Sequence, residues 1–175
     1  MIRPMILALA AALLSAAAPA FAAVPAPKVS IQTYAQLKTP LPYPYDETLS
    51  AKATNAAVAR ARARALKAHK LLIIDLGGNW CGDCRVLTGT LDLPEVKPFV
   101  ARHFEVVTVD VGRFNHNLQV PAHYGIRDRL KGVPSLLIVD PRTDTLINEG
   151  NTAALADARS MNPQGLADYL AKYAG

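Results

Sequence analysis

The sequence holds two cysteines and one tryptophan in 175 residues, and aromatic side chains make up only 6% of it. Two cysteines close at most one disulfide, which excludes a loop-rich scaffold stapled by several bridges and a four-cysteine zinc site. Charge of one sign is not concentrated anywhere. The formal net charge is +5, and basic residues occur as Arg60, Arg62 and Arg64, again as Arg127, Arg129 and Lys131, and otherwise singly, without interleaved aromatics. That pattern describes solvated faces and gives no support to a nucleic-acid partner. No internal repeat or low-complexity tract is present beyond an alanine-rich start.

Charge is also missing between Arg3 and Lys28. Arg3 supplies a positive n-region, Met5 to Ala18 an apolar core, and Ala20-Phe21-Ala22 a small-x-small cleavage site, so residues 1–22 read as a secretory signal peptide cut after Ala22. A retained membrane anchor is the competing reading. Pro19, Pro25, Pro27 and the weak hydrophobicity of alanine argue against a spanning helix of about 20 strongly apolar residues. No cysteine follows the apolar run, so a lipid has no attachment point there. Export places the mature chain outside the cytoplasm, which in a bacterium with two membranes means the periplasm, where disulfides are permitted.

What is present suits one soluble domain with a real core: 51% of residues are hydrophobic and 19% charged. Residues 23–47 carry Pro25, Pro27, Pro40, Pro42 and Pro44, too many for a packed helix or a central strand, and read as an extended, Pro-rich N-terminal lead-in. Tyr34, Tyr43 and Tyr45 are the side chains there with a surface to dock. From Thr48 to His69 glycine and proline are absent, and Asp46 and Glu47 sit where a helix N-terminus favours negative charge, which predicts a helix. LLIIDL, from Leu71, is a continuous apolar run of the kind that forms a strand buried on both faces.

Beyond the cysteines, CRVL continues as a helix that Thr88-Gly89-Thr90 weakens. Asp92 and Pro94 then start a second helical piece, PEVKPFVARHF. FEVVTVDV is the next strand. Gly112 to Lys131 is a long connection with a short helix near Pro121 to Tyr124; SLLIVD and TLINEG pair as an antiparallel hairpin, and Asn162 and Pro163 open a C-terminal helix. The order predicts an α/β fold with parallel strands early and an antiparallel edge late.

Cys81 and Cys84 lie where the first strand ends and a helix begins. Residues three apart on a helix share one face, with Cα atoms about 5 to 6 Å apart, within the span of a disulfide. As a staple the bond is poorly placed: closing a four-residue loop is worth about 1.9 kcal/mol on the chain-entropy estimate, against about 4.7 for a 100-residue loop. A zinc site needs two further ligands, and His116 and His123 are the sequence-plausible pair, in an awkward spacing on another segment. Position favours redox chemistry over both. A cysteine at a helix N-terminus faces unpaired N–H groups and the positive end of the dipole, which stabilise a thiolate, so Cys81 is the attacking sulfur. Cys84, one turn in and more buried, is placed to resolve the mixed disulfide.

The chain resembles the thioredoxin family over residues 48–175. The likeness is carried, in order, by Asp75 on the buried strand, Trp80-Cys81-Gly82-Asp83-Cys84, the strand ending at Asp110, Tyr124-Gly125-Ile126-Arg127, and Gly132-Val133-Pro134-Ser135 before SLLIVD. The resemblance implies a thioredoxin-like fold, a central mixed sheet flanked by helices. It implies a thiol–disulfide oxidoreductase without cofactor beyond a redox-active Cys81–Cys84 disulfide and without metal. It implies protein substrates bearing thiols or disulfides, an upstream membrane or periplasmic thiol as electron donor or acceptor, and a monomer. It further implies that Pro134 is cis beside the cysteines, that the Val133 backbone pairs with an extended substrate, that Asp75 relays a proton to Cys84, and that Trp80 covers the rim.

Departures from the family pattern are as informative. Gly77 and Gly78 replace bulkier residues, which predicts a more open approach to Cys81. Gly89 stands where a proline usually kinks the helix, and Asp128 to Lys131 reads as an insertion near a substrate groove. The motif followed by Leu-Pro-Glu-Val is similar in layout to the reducing periplasmic domains of the Dsb system. Asp83 between the cysteines disfavours the Cys81 thiolate, with Arg85 as a partial offset, and tilts the couple toward reductive or isomerase-type exchange. A non-catalytic binding or chaperone-like module and a metal-handling protein are the alternatives.

Overall fold

The computed structural model describes residues 24–175; the expected signal peptide, residues 1–22, lies outside the described residues. Five helices and four strands follow the lead-in: α1 (Ala51–Ala68), β1 (Leu71–Gly77), α2 (Gly82–Leu91), α3 (Lys97–His103), β2 (Phe104–Asp110), α4 (Gln119–His123), β3 (Ser135–Asp140), β4 (Thr145–Leu146) and α5 (Pro163–Ala171). The sheet order is β2-β1-β3-β4. β1 runs parallel to β2, with Asp75 opposite Thr108, and antiparallel to β3, with Leu76 opposite Ser135. No helix among the described residues is long and apolar enough to cross a membrane.

Both faces of the sheet are covered, which is why β1 and β3 read as unbroken apolar runs. Ile73, Leu136 and Ile138 pack with α2 and α5 residues such as Leu87, Leu166 and Leu170 on one side. Leu72, Ile74, Leu137 and Val139 pack with Ala61 and Ala65 of α1 on the other. The lead-in belongs to this packing: Val29 and Leu37 are buried in the first cluster and Tyr45 in the second.

Several boundaries differ from the sequence expectation, each for a local reason. α1 starts three residues later than expected, because Ser50 rather than the acidic pair caps it, its hydroxyl accepting from the Ala53 N–H at 3.3 Å. Asp46 turns instead onto Thr48. α2 runs through Gly89 unbroken; the missing side chain lets Leu37 and Leu41 of the lead-in lie against the helix. Asp92 is the C-cap of α2, not the start of α3, which begins at Lys97.

β4 is two residues long where TLINEG suggested a fuller strand. Past Leu146 the Asn148 side chain takes over the pairing: its amide oxygen accepts from the Ile138 N–H at 3.0 Å and its amide nitrogen donates to the Leu136 carbonyl at 2.8 Å. The strand bonds are satisfied by a side chain, so the backbone is released to turn away.

Candidate functional site

The site lies where β1 ends, β3 begins and α2 starts. Cys81 is the N-cap of α2, its backbone extended while its Sγ accepts from the Cys84 N–H at 3.2 Å. A sulfur thus occupies the position a serine or aspartate oxygen holds in an ordinary cap, facing the orphan amides of the first turn. The same Sγ donates to the Val133 carbonyl at 3.4 Å. Val133–Pro134 is a cis peptide, immediately ahead of Ser135 on β3. Both cysteines are free thiols; Cys84 is fully buried and Cys81 nearly so, 5% exposed.

The two sulfurs titrate apart. Hydrogen bonding to Cys84, aided by amides at the head of α2, pulls the Cys81 pKa down to about 7 against the opposing effect of burial. The hydrogen bond to Cys81, together with burial, pushes the Cys84 thiol well above its ordinary value. One nucleophile is ready at neutral pH and the other is held protonated.

Asp75 is buried at the centre of the sheet and its pKa is pushed up to about 7 by burial, against a lowering hydrogen bond from Tyr45. The Tyr45 hydroxyl donates to Asp75 Oδ1 at 3.0 Å. Burial, the Asp75 carboxylate and the Cys84 sulfur all raise the tyrosine's own pKa, so it stays a neutral donor lying against both. Its ring fills the space beside Gly77, where an added Cβ would also meet Cys84 Sγ at 2.9 Å. The more open approach predicted from Gly77 is therefore not found: the lead-in returns a tyrosine to the vacancy. Asn79 locks that return, exchanging hydrogen bonds with the Tyr45 backbone at 3.1 and 2.8 Å. Sequence reading saw Tyr45 as a docking residue and missed its place beside the acid; the paired glycines were the available signal.

Trp80 is 40% exposed on the rim, its Nε1 donating to the Gly112 carbonyl at 2.8 Å. Gly78 makes room for it, since a Cβ there would lie 2.5 Å from that nitrogen. Arg85 does not offset Asp83 as expected. It stacks over Tyr43, 3.9 Å from the ring centroid, and donates to the Leu41 and Pro42 carbonyls. The partner of Asp83 is Arg159, on a short helical turn before α5: Nε and Nη2 bind the two carboxylate oxygens at 3.1 and 3.0 Å, and the Arg159 backbone N–H adds a third bond at 2.9 Å. Seventy-six residues separate the pair, and nothing in the sequence marks it.

His116 and His123 are held by different carboxylates, Asp110 at 3.5 Å and Asp144 at 2.9 Å, and the described residues contain no group of three or more metal-ligating side chains.

A dithiol with one depressed and one raised pKa, at the head of a helix and across from a cis-proline loop on a mixed sheet, defines a thiol–disulfide oxidoreductase. The thioredoxin-like family model matches residues 52–141, and the chain belongs to that family. It is similar to a disulphide isomerase from Xylella fastidiosa Temecula1, with 36% identity, a TM-score of 0.67, and coverage of 77% of this chain and 99% of that one. An HIV epitope scaffold (18% identity, TM-score 0.37, covering 70% of this chain and 86% of that one) and a Pseudomonas aeruginosa protein of unknown function (20%, 0.34, covering 68% and 78%) are far weaker likenesses and do not bear on function.

Proposed function

We propose that this protein reduces or isomerises disulfides of exported proteins in the periplasm through the Cys81/Cys84 couple, and is recharged by an upstream membrane or periplasmic thiol. The observation that carries the reading is the Cys81 sulfur seated as a helix N-cap, 3.2 Å from the Cys84 N–H and 3.4 Å from the Val133 carbonyl. The Cys81 thiolate attacks one sulfur of a substrate disulfide, the substrate S–S bond breaks, and the leaving thiolate takes up a proton. Cys84 gives its proton to the ionised Asp75 and attacks Cys81 Sγ, the mixed disulfide breaks, and the second substrate sulfur leaves as a thiolate that takes up a proton from solvent. The substrate gains two electrons, and the protein is left with a Cys81–Cys84 disulfide.

The direction rests on the thiolate. A Cys81 pKa of about 7 matches the value of about 7 typical of thioredoxin and lies far from the about 3.5 of the strongest oxidant of this kind, so the dithiol form is not over-stabilised. Similarity to a disulphide isomerase supports the isomerase-type variant of the same exchange.

Reduction of insulin by the wild-type protein tests the activity. Turnover is expected with wild type and none with Cys81→Ser, while Cys84→Ser accumulates a mixed disulfide. Equilibration of the couple with glutathione tests the direction: a potential near −270 mV fits reductive work, and one near −120 mV reverses it.

A further inference from the structure

The connection from Gly112 to Lys131 builds a surface against the rim that the exchange chemistry leaves unexplained. The Arg113 guanidinium lies over the Trp80 ring, 4.2 Å from its centroid. Phe114 meets Trp80 edge-on at 6.2 Å, and Arg129 in turn lies 4.7 Å over Phe114. The two rings are flanked by a cation at each end, in a continuous strip whose Trp80 is the residue next to Cys81. Beside it Leu118, Pro121, Ile126 and Arg127 line a groove of about 280 Å³, and Asp128 is the one carboxylate in its wall.

The arginines of this strip carry their charge unpaired. Arg62, Arg64, Arg142 and Arg159 each bind a carboxylate, whereas among the described residues Arg113, Arg127 and Arg129, like Arg60, Arg85 and Arg102, form no ion pair; what sets Arg113 and Arg129 apart is that they stack on rings beside Cys81. Stacking on a ring holds a guanidinium flat and leaves its edge donors directed outward, ready for a two-point grip on a carboxylate. Leu118 is 39% exposed beside them. Free cations and exposed apolar surface together match an acidic segment that also carries apolar side chains.

We propose that the Arg113–Trp80–Phe114–Arg129 strip is a docking shelf that selects protein disulfides whose cysteines are flanked by acidic residues. The inference rests on the exchange activity proposed above and names its substrate class. Attraction between the shelf and the acidic flank raises the encounter rate and holds the substrate sulfur over Cys81.

The test uses disulfide-linked peptides identical except for two flanking residues, Glu, Gln or Lys, with reduced wild-type protein. The Glu peptide is expected to exchange about tenfold faster than the Gln peptide at low salt, the Lys peptide slower than both, and the ratios to fall toward one in 1 M salt, where screening acts within about 3 Å. Arg113→Gln combined with Arg129→Gln should bring the Glu/Gln ratio near one, and Arg113→Lys with Arg129→Lys should keep most of it. Because the ratio is read within each variant, the fraction folded cancels. Equal wild-type rates for the Glu and Gln peptides overturn the shelf, as does such equality together with capture of an oligonucleotide or anionic vesicles. Peptides that fail to react while bis(2-hydroxyethyl) disulfide is reduced also overturn it. Failure with that small disulfide as well overturns the exchange activity itself.

Discussion

Asp83 stands between the two cysteines in sequence, and by itself its carboxylate would disfavour the Cys81 thiolate. The structure answers that charge with Arg159, whose guanidinium covers Gly82, 3.2 Å from where a Cβ would stand, while gripping both oxygens of Asp83. Arg159 therefore acts on the couple through Asp83 and is a positioning residue. Removing it with Arg159→Gln leaves Asp83 uncompensated, so the Cys81 pKa rises and alkylation by iodoacetamide at pH 6 slows by roughly threefold, as expected for one partly screened unit charge nearby. Asp83→Asn moves the rate the other way, and the double variant returns close to wild type. A structural role alone would not reverse sign between the two single variants; equal slowing in both would sink the assignment. Neither partner was readable together from the sequence. Asp83 announces itself by its place in the motif, whereas Arg159 is brought in by the turn before α5, and sequence neighbourhood pointed instead to Arg85.

At the scale of elements, the same cap-and-proline signal holds at one place and fails at another, where Asp92 closes α2 instead of opening α3. Asn162 and Pro163 do open α5, with the Asn162 side chain accepting from the Gly165 N–H at 2.7 Å, and SLLIVD is β3 at the boundaries expected. The shifted boundaries of α1 and α2 are set by neighbouring caps, but the end of β4 is set from outside the strand, by Asn148, whose side chain supplies hydrogen bonds the local pattern assigns to backbone. It ends β4 early, satisfies two groups of β3, and donates to the Tyr169 hydroxyl on α5 at 2.9 Å, so it ties strand to helix from a buried position. Asn148→Ala strands the Ile138 N–H and the Leu136 carbonyl, each a buried group whose loss of partner costs about 1–3 kcal/mol, so unfolding in urea should show roughly 3 kcal/mol of lost stability. Asn148→Asp keeps only the acceptor and should also destabilise, by trading the donated bonds for a buried charge. A loss below about 1 kcal/mol for Asn148→Ala would mean that backbone pairing can extend β4 in its place.

The whole molecule couples its redox centre to its stability through Asp75, because the sheet that positions the acid also desolvates it. The native pKa of about 7 exceeds the ordinary 3.8, so between those values the folded state binds the proton and the unfolded state does not. Unfolding then releases protons as pH rises, and stability is highest below about pH 4 on this account and falls through pH 7. At 1.36 kcal/mol per pH unit the full effect is about 4 kcal/mol. Cys81 opposes it in the reduced protein, since its pKa is lowered and its contribution grows with pH, so the measurement belongs on the oxidised form. Asp46, Glu95 and Asp140, whose pKa values are lowered by hydrogen bonds from Thr48, Ser30 and Arg142, also favour higher pH, and they cancel when wild type is compared with Asp75→Asn. Asparagine can still accept from Tyr45 but carries no charge to bury. Urea midpoints of the two proteins should therefore nearly coincide near pH 4 and diverge as pH rises, with Asp75→Asn the more stable by up to about 4 kcal/mol above pH 7. If Asp75 takes the Cys84 proton as proposed, the variant lacks the acceptor, and release of substrate from the mixed disulfide should slow at pH 7 while attack by Cys81 does not. Parallel stability curves from pH 4 to pH 8 would show that Asp75 is hydrated rather than desolvated, and the relay would lose its physical basis.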